Sequence, residues 1–124
     1  MTKTIMIVDD SPTMLLSLHG ILSKGGYGVE QARSGEEAVK ALQGGLRPAM
    51  VITDFNMGAM NGIDVVRQVR RMPALRFTPL LLLTPETQRD RRDEARSAGA
   101  TGWLVKPVQA EALLQVVRQL VPGA

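Results

Sequence analysis

The 124-residue sequence has no cysteine, one histidine, one tryptophan, one tyrosine and two phenylalanines. Without cysteine, a disulfide framework, a thiolate nucleophile and a thiolate metal site are excluded. The lone His19 cannot assemble a histidine metal cluster and reads as a helix-face residue. No purely apolar run exceeds four residues, Leu80–Leu83 being one of that length, so no segment is expected to span a bilayer. Met1-Thr2-Lys3-Thr4 leads straight into a short apolar stretch, and no signal peptide is read there. Strong charge imbalance is also missing. Fifteen Lys and Arg against twelve Asp and Glu give +3, too mild to argue for nucleic acid.

What remains is ordinary globular composition, 44% hydrophobic and 22% charged, which excludes a disordered tail, a fibre and a coiled coil. The length predicts one domain, 1–124, without an output domain, large enough for a core of its own. A soluble, cytoplasmic protein is expected.

The chain alternates. Ile5–Val8, Met50–Ile52, Leu80–Leu83 and Trp103–Val105 are short apolar runs ending at polar residues, and Val29 marks a weaker fifth run near 27–33. Continuous apolarity suits strands buried on both faces of a parallel sheet. Between the runs lie helical patterns. Met14, Leu15, Leu18, Ile21 and Leu22 follow Ser11 as N-cap and Pro12 at the first helical position. Ser34 and Glu37 suggest a capping box ahead of Ala38, Val39 and Leu42, with Gly44-Gly45 as the stop. Ile63, Val66 and Val69 follow Asn61-Gly62. A polar helix is read over Gln88–Ala98, with only Ala95 and Ala98 as apolar contacts. Ala112, Leu113, Val116, Val117 and Leu120 form the last helix, closed by Pro122-Gly123. Five strands alternating with five helices predict an α/β, doubly wound parallel sheet.

In such sheets ligands bind outside the carboxyl ends of the strands. Those ends here are Asp9-Asp10, Asp54, Thr84 and Lys106. Carboxylates crowded together repel, and a hard divalent cation such as Mg²⁺ removes the conflict. Lys106 supplies a compact positive charge for a phosphate, Thr84 a hydroxyl donor, and a carboxylate can itself be phosphorylated. Taken singly, each residue has a plainer role: Asp9 or Asp10 as a turn or cap, Asp54 in a loop, Thr84-Pro85 as a strand exit, Lys106-Pro107 as a turn. Their joint occurrence at four strand ends favours a site.

The segments Val8-Asp9-Asp10-Ser11, Asp54-Phe55-Asn56-Met57, Met60-Asn61-Gly62, Leu83-Thr84 and Trp103-Leu104-Val105-Lys106-Pro107 resemble receiver domains of two-component response regulators. The likeness is specifically to the single-domain chemotaxis (CheY-like) type, over essentially the whole chain. The resemblance implies a flavodoxin-like receiver topology and a stand-alone phosphorelay phosphoprotein in chemotaxis or motility. It implies Asp54 as phosphoacceptor from a sensor histidine kinase. Asp9, Asp10, Asp54 and the Asn56 backbone carbonyl would be ligands of Mg²⁺. Lys106 and Thr84 would serve the phosphoryl group, Thr84 and Trp103 the switch, and Lys106-Pro107 would be a cis peptide. An output protein would dock on the fourth helix, fifth strand and fifth helix. No nucleic-acid partner or membrane insertion is expected. Nor is enzyme activity expected beyond assistance to its own phosphorylation and dephosphorylation.

The sequence departs from that pattern at four positions. Gly58 replaces a common proline, predicting a looser loop. Asn61 replaces an acid, Pro85 replaces a small residue and stiffens the switch loop, and Trp103 is bulkier than the usual aromatic. A plainer reading keeps Trp103 as an edge-strand packing residue. Arg89, Arg91, Arg92 and Arg96 interleave with acids on the fourth helix, either as a solvated face with internal ion pairs or as a docking surface for an acidic partner. Competing readings of the chain are a phosphorylation-independent receiver-like adaptor, an aspartyl-phosphate phosphatase, and a flavin-binding relative of the same topology. The phosphatase pattern fails, because it wants a second acid two residues after a first-strand nucleophile. Acids at the end of the first strand also displace the hydroxyl- and glycine-rich phosphate loop that a flavin needs.

Overall fold

The apolar runs become five parallel strands in a computed structural model that describes residues 3–85 and 90–121. In chain order the elements are β1 (Thr4–Val8), α1 (Pro12–Lys24), β2 (Gly28–Ala32), α2 (Gly35–Gln43), β3 (Met50–Asp54) and α3 (Gly62–Arg70). A 3-10 turn (Pro73–Leu75) follows, then β4 (Leu80–Thr84), α4 (Arg92–Ala98), β5 (Gly102–Val105) and α5 (Ala110–Leu120). The sheet order is β2-β1-β3-β4-β5. The chain therefore leaves β1 in one direction, to β2, and leaves β3 in the other, to β4 and then β5. Where the order reverses, the carboxyl ends of β1 and β3 lie side by side, with Val8 opposite Thr53. A crevice opens at such a reversal.

Strands β3 and β4 are buried at every position, whereas the edge strands β2 and β5 are partly open. Alternate residues feed opposite layers. Met6, Val8, Val51 and Leu82 pack with Ala38, Leu42, Ile63 and Val66 of α2 and α3. Ile5, Ile7, Ile52 and Leu83 pack with Leu15, Leu18, Leu113 and Val117 of α1 and α5. Removing one such leucine costs about 2–5 kcal/mol, enough to decide whether the sheet holds its edge residues in place.

Helix ends follow local chemistry. The Ser11 hydroxyl accepts from the Met14 amide at 3.2 Å, with Pro12 at the first position. The Ser34 hydroxyl accepts from the Glu37 amide at 3.0 Å, and only that half of the expected box is formed. A complete box appears instead at α3, where the Asp64 amide donates to Asn61 at 2.9 Å and the Asn61 amide to Asp64 at 3.1 Å. Within the described residues, the polar helix read over Gln88–Ala98 is a 3-10 turn at Asp90-Arg91 followed by α-helix from Arg92. Arg91 holds its N-cap position, and a guanidinium offers no acceptor to first-turn amides. Gln88, Arg89 and the closing Pro122-Gly123 lie outside the described residues. Among those described, no helix is long and apolar enough to cross a membrane.

Candidate functional site

Asp9 and Asp10 directly follow β1, and Asp54 is the last residue of β3, so the strand reversal brings three carboxylates together. One oxygen of each lies within 4.8 Å of the others. Asp9 and Asp54 are buried and Asp10 is exposed. The Ser11 amide donates to Asp9 Oδ1 at 2.9 Å, while Asp9 Oδ2 is buried with no partner. Burial pushes the Asp9 carboxyl above its ordinary range, and the charges of Asp54 and Asp10 push the same way. The Ser11 amide and Lys106 oppose the shift. A buried, unpartnered carboxylate oxygen among three acids, open on one side through Asp10, fits a hard divalent cation that keeps part of its water shell. Asn56 stands two residues beyond Asp54 in the exposed loop.

The positive partner comes from the other half of the sheet. Lys106 follows β5, and its Nζ lies 2.5 Å from Asp54 Oδ1, a close ion pair. The Lys106 amide donates to the Thr84 carbonyl at 2.8 Å, locking this segment to the end of β4. The Lys106–Pro107 peptide bond is cis. Thr84 is 4% exposed, and its Oγ1 has no hydrogen-bond partner. An unpaired buried hydroxyl costs about 1–3 kcal/mol, so the site holds a donor that an arriving oxygen would satisfy.

Beside Thr84 the fourth helix meets two aromatic rings. Arg91 lies 4.9 Å from the centroid of Phe55, the buried residue after Asp54. Its Nε donates to Glu94 at 2.7 Å, and Glu94 also pairs with Arg67 of α3 at 3.4 Å. Arg92 and Arg96 both stand over the half-buried Trp103, at 5.2 and 5.5 Å from its centroid. Phe55, Thr84, Arg91, Arg92, Ala95 and Trp103 together line a narrow space beside the site. The Arg91–Glu94 pair is an internal ion pair of the kind one sequence reading gave this face, while the engagement of its described arginines with two rings was in neither reading. Arg89 lies outside the described residues.

Three further residues shape the site: Gly62, which the sequence reading did not assign to it, and Gly58 and Asn61, which it noted only as departures from the receiver pattern. A side chain at Gly62 would meet the Asp54 carbonyl at 2.5 Å and Leu82 Cδ2 at 2.6 Å, so glycine lets α3 start against the end of β3. The Gly62 amide donates to the Phe55 carbonyl at 2.8 Å, completing that approach. The Asn-Gly pair ahead of a helical pattern was the available signal. Gly58 has φ +46°, a left-handed backbone closed to proline, so its loop follows a path the family's usual residue could not take. Asn61, read as an acid lost from the site, is the cap of α3, with Asp64 as its partner. His19 is exposed and shares a 3.1 Å contact with Gln31.

Comparison with known proteins covers the same ground. A family model described as response regulator receiver domain matches residues 5–118. The chain is 36% identical over 117 residues to the chemotaxis protein CheY of Pseudomonas aeruginosa, covering 94% of each. It is 33% identical to the protein PilH of the same organism, covering 96% of this chain and 98% of the other. The chemotaxis protein CheY4 of Vibrio cholerae superimposes with a TM-score of 0.90 at 38% identity, over 97% of this chain and 99% of that one.

Proposed function

The chain belongs to the response regulator receiver family, signalling proteins that histidine kinases phosphorylate and that act on downstream targets, and we propose that Asp54 is its phosphoacceptor. The observation carrying this reading is the convergence on one sheet edge of Asp9, Asp10 and Asp54 with the Lys106 ammonium and the unpartnered Thr84 hydroxyl.

An Asp54 oxygen attacks the phosphorus of a phosphohistidine in line. The P–N bond breaks, its electron pair returns to the imidazole, and an acyl phosphate forms on Asp54. Receiver domains bind Mg²⁺ at an acidic pocket, and Asp9, Asp10, Asp54 and the Asn56 carbonyl would hold it here. When bound, it neutralises phosphoryl charge. Lys106 exchanges its carboxylate partner for the phosphoryl oxygens, keeping a positive charge at the reacting centre. Water later attacks phosphorus and returns the free carboxylate and inorganic phosphate, the chain's own assistance to its dephosphorylation. The Thr84 hydroxyl gains an acceptor once the phosphoryl group is present. Its shift towards that group opens space beside Trp103 and biases the two-state element formed by α4 and β5. The output partner docks on α4, β5 and α5, and the likeness to CheY and PilH supports a motility or chemotaxis output.

Incubation with acetyl phosphate and Mg²⁺ tests the assignment. One base-labile phosphoryl group should appear in the wild type and none in Asp54→Asn, while Asp10→Ala should raise the Mg²⁺ needed for half-maximal labelling. Labelling that persists in Asp54→Asn overturns it.

A further inference from the structure

The two ends of the sheet differ in charge. Strands run parallel and the helices return against them, so strand starts and helix C-termini share the pole opposite the aspartates. Of the twelve acids in the sequence, only Glu86 lies outside the described residues. Asp9, Asp10 and Asp54 sit at strand ends, Asp90 lies just before α4, and α2 to α5 carry their acids in the first turn. Glu30 lies midway along β2. No described acid stands at the far pole.

That pole carries exposed cations instead. Lys24, Lys40 and Arg118 occupy last helical turns, where they complement helix dipoles and call for no partner. Lys3, Arg47 and Arg76 lie outside the helices and Arg71 caps α3, all four exposed. The Arg47 guanidinium donates to the carbonyls of Leu42 at 2.7 Å and Leu46 at 2.8 Å at the end of α2, so Lys3 and Arg76 are the cations that no helix end accounts for. Among the described residues none of the seven makes an ion pair.

Phe77 lies in the same region and is 88% exposed. Its loop is tied down from within: the Arg70 guanidinium donates to the carbonyls of Leu75 at 2.9 Å, Arg76 at 3.1 Å, Thr78 at 2.8 Å and Gly99 at 2.9 Å. The backbone on both sides of Phe77 is therefore anchored while its ring stands in water, flanked by Arg76 at 5.5 Å. A bound conformation in which that ring is buried elsewhere would need little further ordering of the loop.

We infer that this pole docks peripherally on an anionic phospholipid surface, with Phe77 entering the headgroup region and Lys3, Arg47, Arg71 and Arg76 facing lipid phosphates. An apolar ring among arginines is the combination an interface rewards. Stacking along a nucleic acid strand uses successive aromatics over a basic groove, and this pole offers a single ring on a loop. Docked this way, the aspartates, Lys106 and α4 face solution, so phosphorylation and membrane attachment use opposite ends of the molecule.

Co-sedimentation of the full chain with vesicles tests this. Binding is expected at low salt to vesicles of equal parts phosphatidylglycerol and phosphatidylcholine, and not to phosphatidylcholine alone, and it should fall as salt rises. Arg71→Gln with Arg76→Gln should weaken it by about 25-fold, about fivefold for each charge removed. Phe77→Ser should weaken it by about fivefold while leaving the salt dependence in place. Circular dichroism confirms that the variants are folded, and Lys3→Gln, ahead of β1 and away from the loop, gives a second test at about fivefold. Equal binding to neutral vesicles, no binding to anionic ones, or binding that these substitutions leave intact overturns the inference. So does capture of a DNA or RNA oligonucleotide or self-association, lost in the same variants, without vesicle binding.

Discussion

Replacing Arg92 and Arg96 together with Gln should loosen Trp103 measurably. The two guanidinium carbons stand 5.2 and 5.5 Å from the indole centroid. A cation over a tryptophan face is worth about 0.5–1 kcal/mol at an exposed site, which sets an upper range of about 1–2 kcal/mol for the pair. Two positive charges four residues apart on one helix repel each other, which trims the sum by a few tenths of a kcal/mol. Glutamine keeps the helix propensity close to that of arginine, so the loss reports the rings and charges rather than the helix. For a domain of this length, about 1 kcal/mol lowers Tm by about 3–5 °C, and the double variant should fall by about 3–8 °C.

The sequence has one tryptophan, so its emission reports this position alone. In the double variant the resting emission should move to the red and acrylamide should quench it more strongly, because the guanidiniums cover part of a half-buried ring. Lysine at both positions should give an intermediate result, since an ammonium keeps the charge without the planar stacking surface. Beryllofluoride with Mg²⁺ should then shift the emission at a lower concentration than in the wild type, if Trp103 must leave its arginines to follow Thr84. Unchanged quenching and unchanged Tm in the double Gln variant would refute the argument that these arginines hold the ring.

Three other outcomes follow from the geometry. Gly62→Ala should destabilise by about 1–3 kcal/mol by overpacking, read by urea unfolding, because its Cβ would meet a backbone carbonyl and Leu82 at 2.5 and 2.6 Å. Arg70→Met should cost about 2–4 kcal/mol in the same assay, because four carbonyls and Thr101 lose a charged donor. Glu94 is held below its usual 4.5 by hydrogen bonding to Arg91 and, next, by the Arg91 charge. A depressed carboxyl contributes stability that is complete above about 4.5 and is lost as pH falls through the lower folded value, so Glu94→Gln should flatten that acid limb slightly.

Some of this could be read without coordinates, and the reason is burial. A strand covered on both faces must be apolar throughout, so its end is announced by the first polar residue: Val8 to Asp9, Leu83 to Thr84, Val105 to Lys106. Asp9, Thr84 and Lys106 are such first polar residues, so for them site and strand end were the same observation, whereas in β3 the buried Thr53 comes first and Asp54 follows it. Strand order had no such marker. Whether β1 lies at an edge or between β2 and β3 depends on the direction each connection takes across the sheet, which no residue encodes locally.

Glycine shows the same limit at a single position. Gly20 and Gly62 are equally bare in the sequence, yet open space surrounds one and the Asp54 carbonyl blocks any side chain at the other. The fourth helix shows it for charge. Only Ala95 is buried there, so apolar periodicity has nothing to register, and a polar helix reads as solvated. Its packing runs through guanidiniums set over Phe55, in a loop far back in the chain, and over Trp103, in the strand that follows. Arginine counts as charge in any sequence pattern and as a flat surface in the folded molecule. A helix that packs by that surface gives up little burial energy when it shifts, which suits the switching role proposed for it beside Thr84.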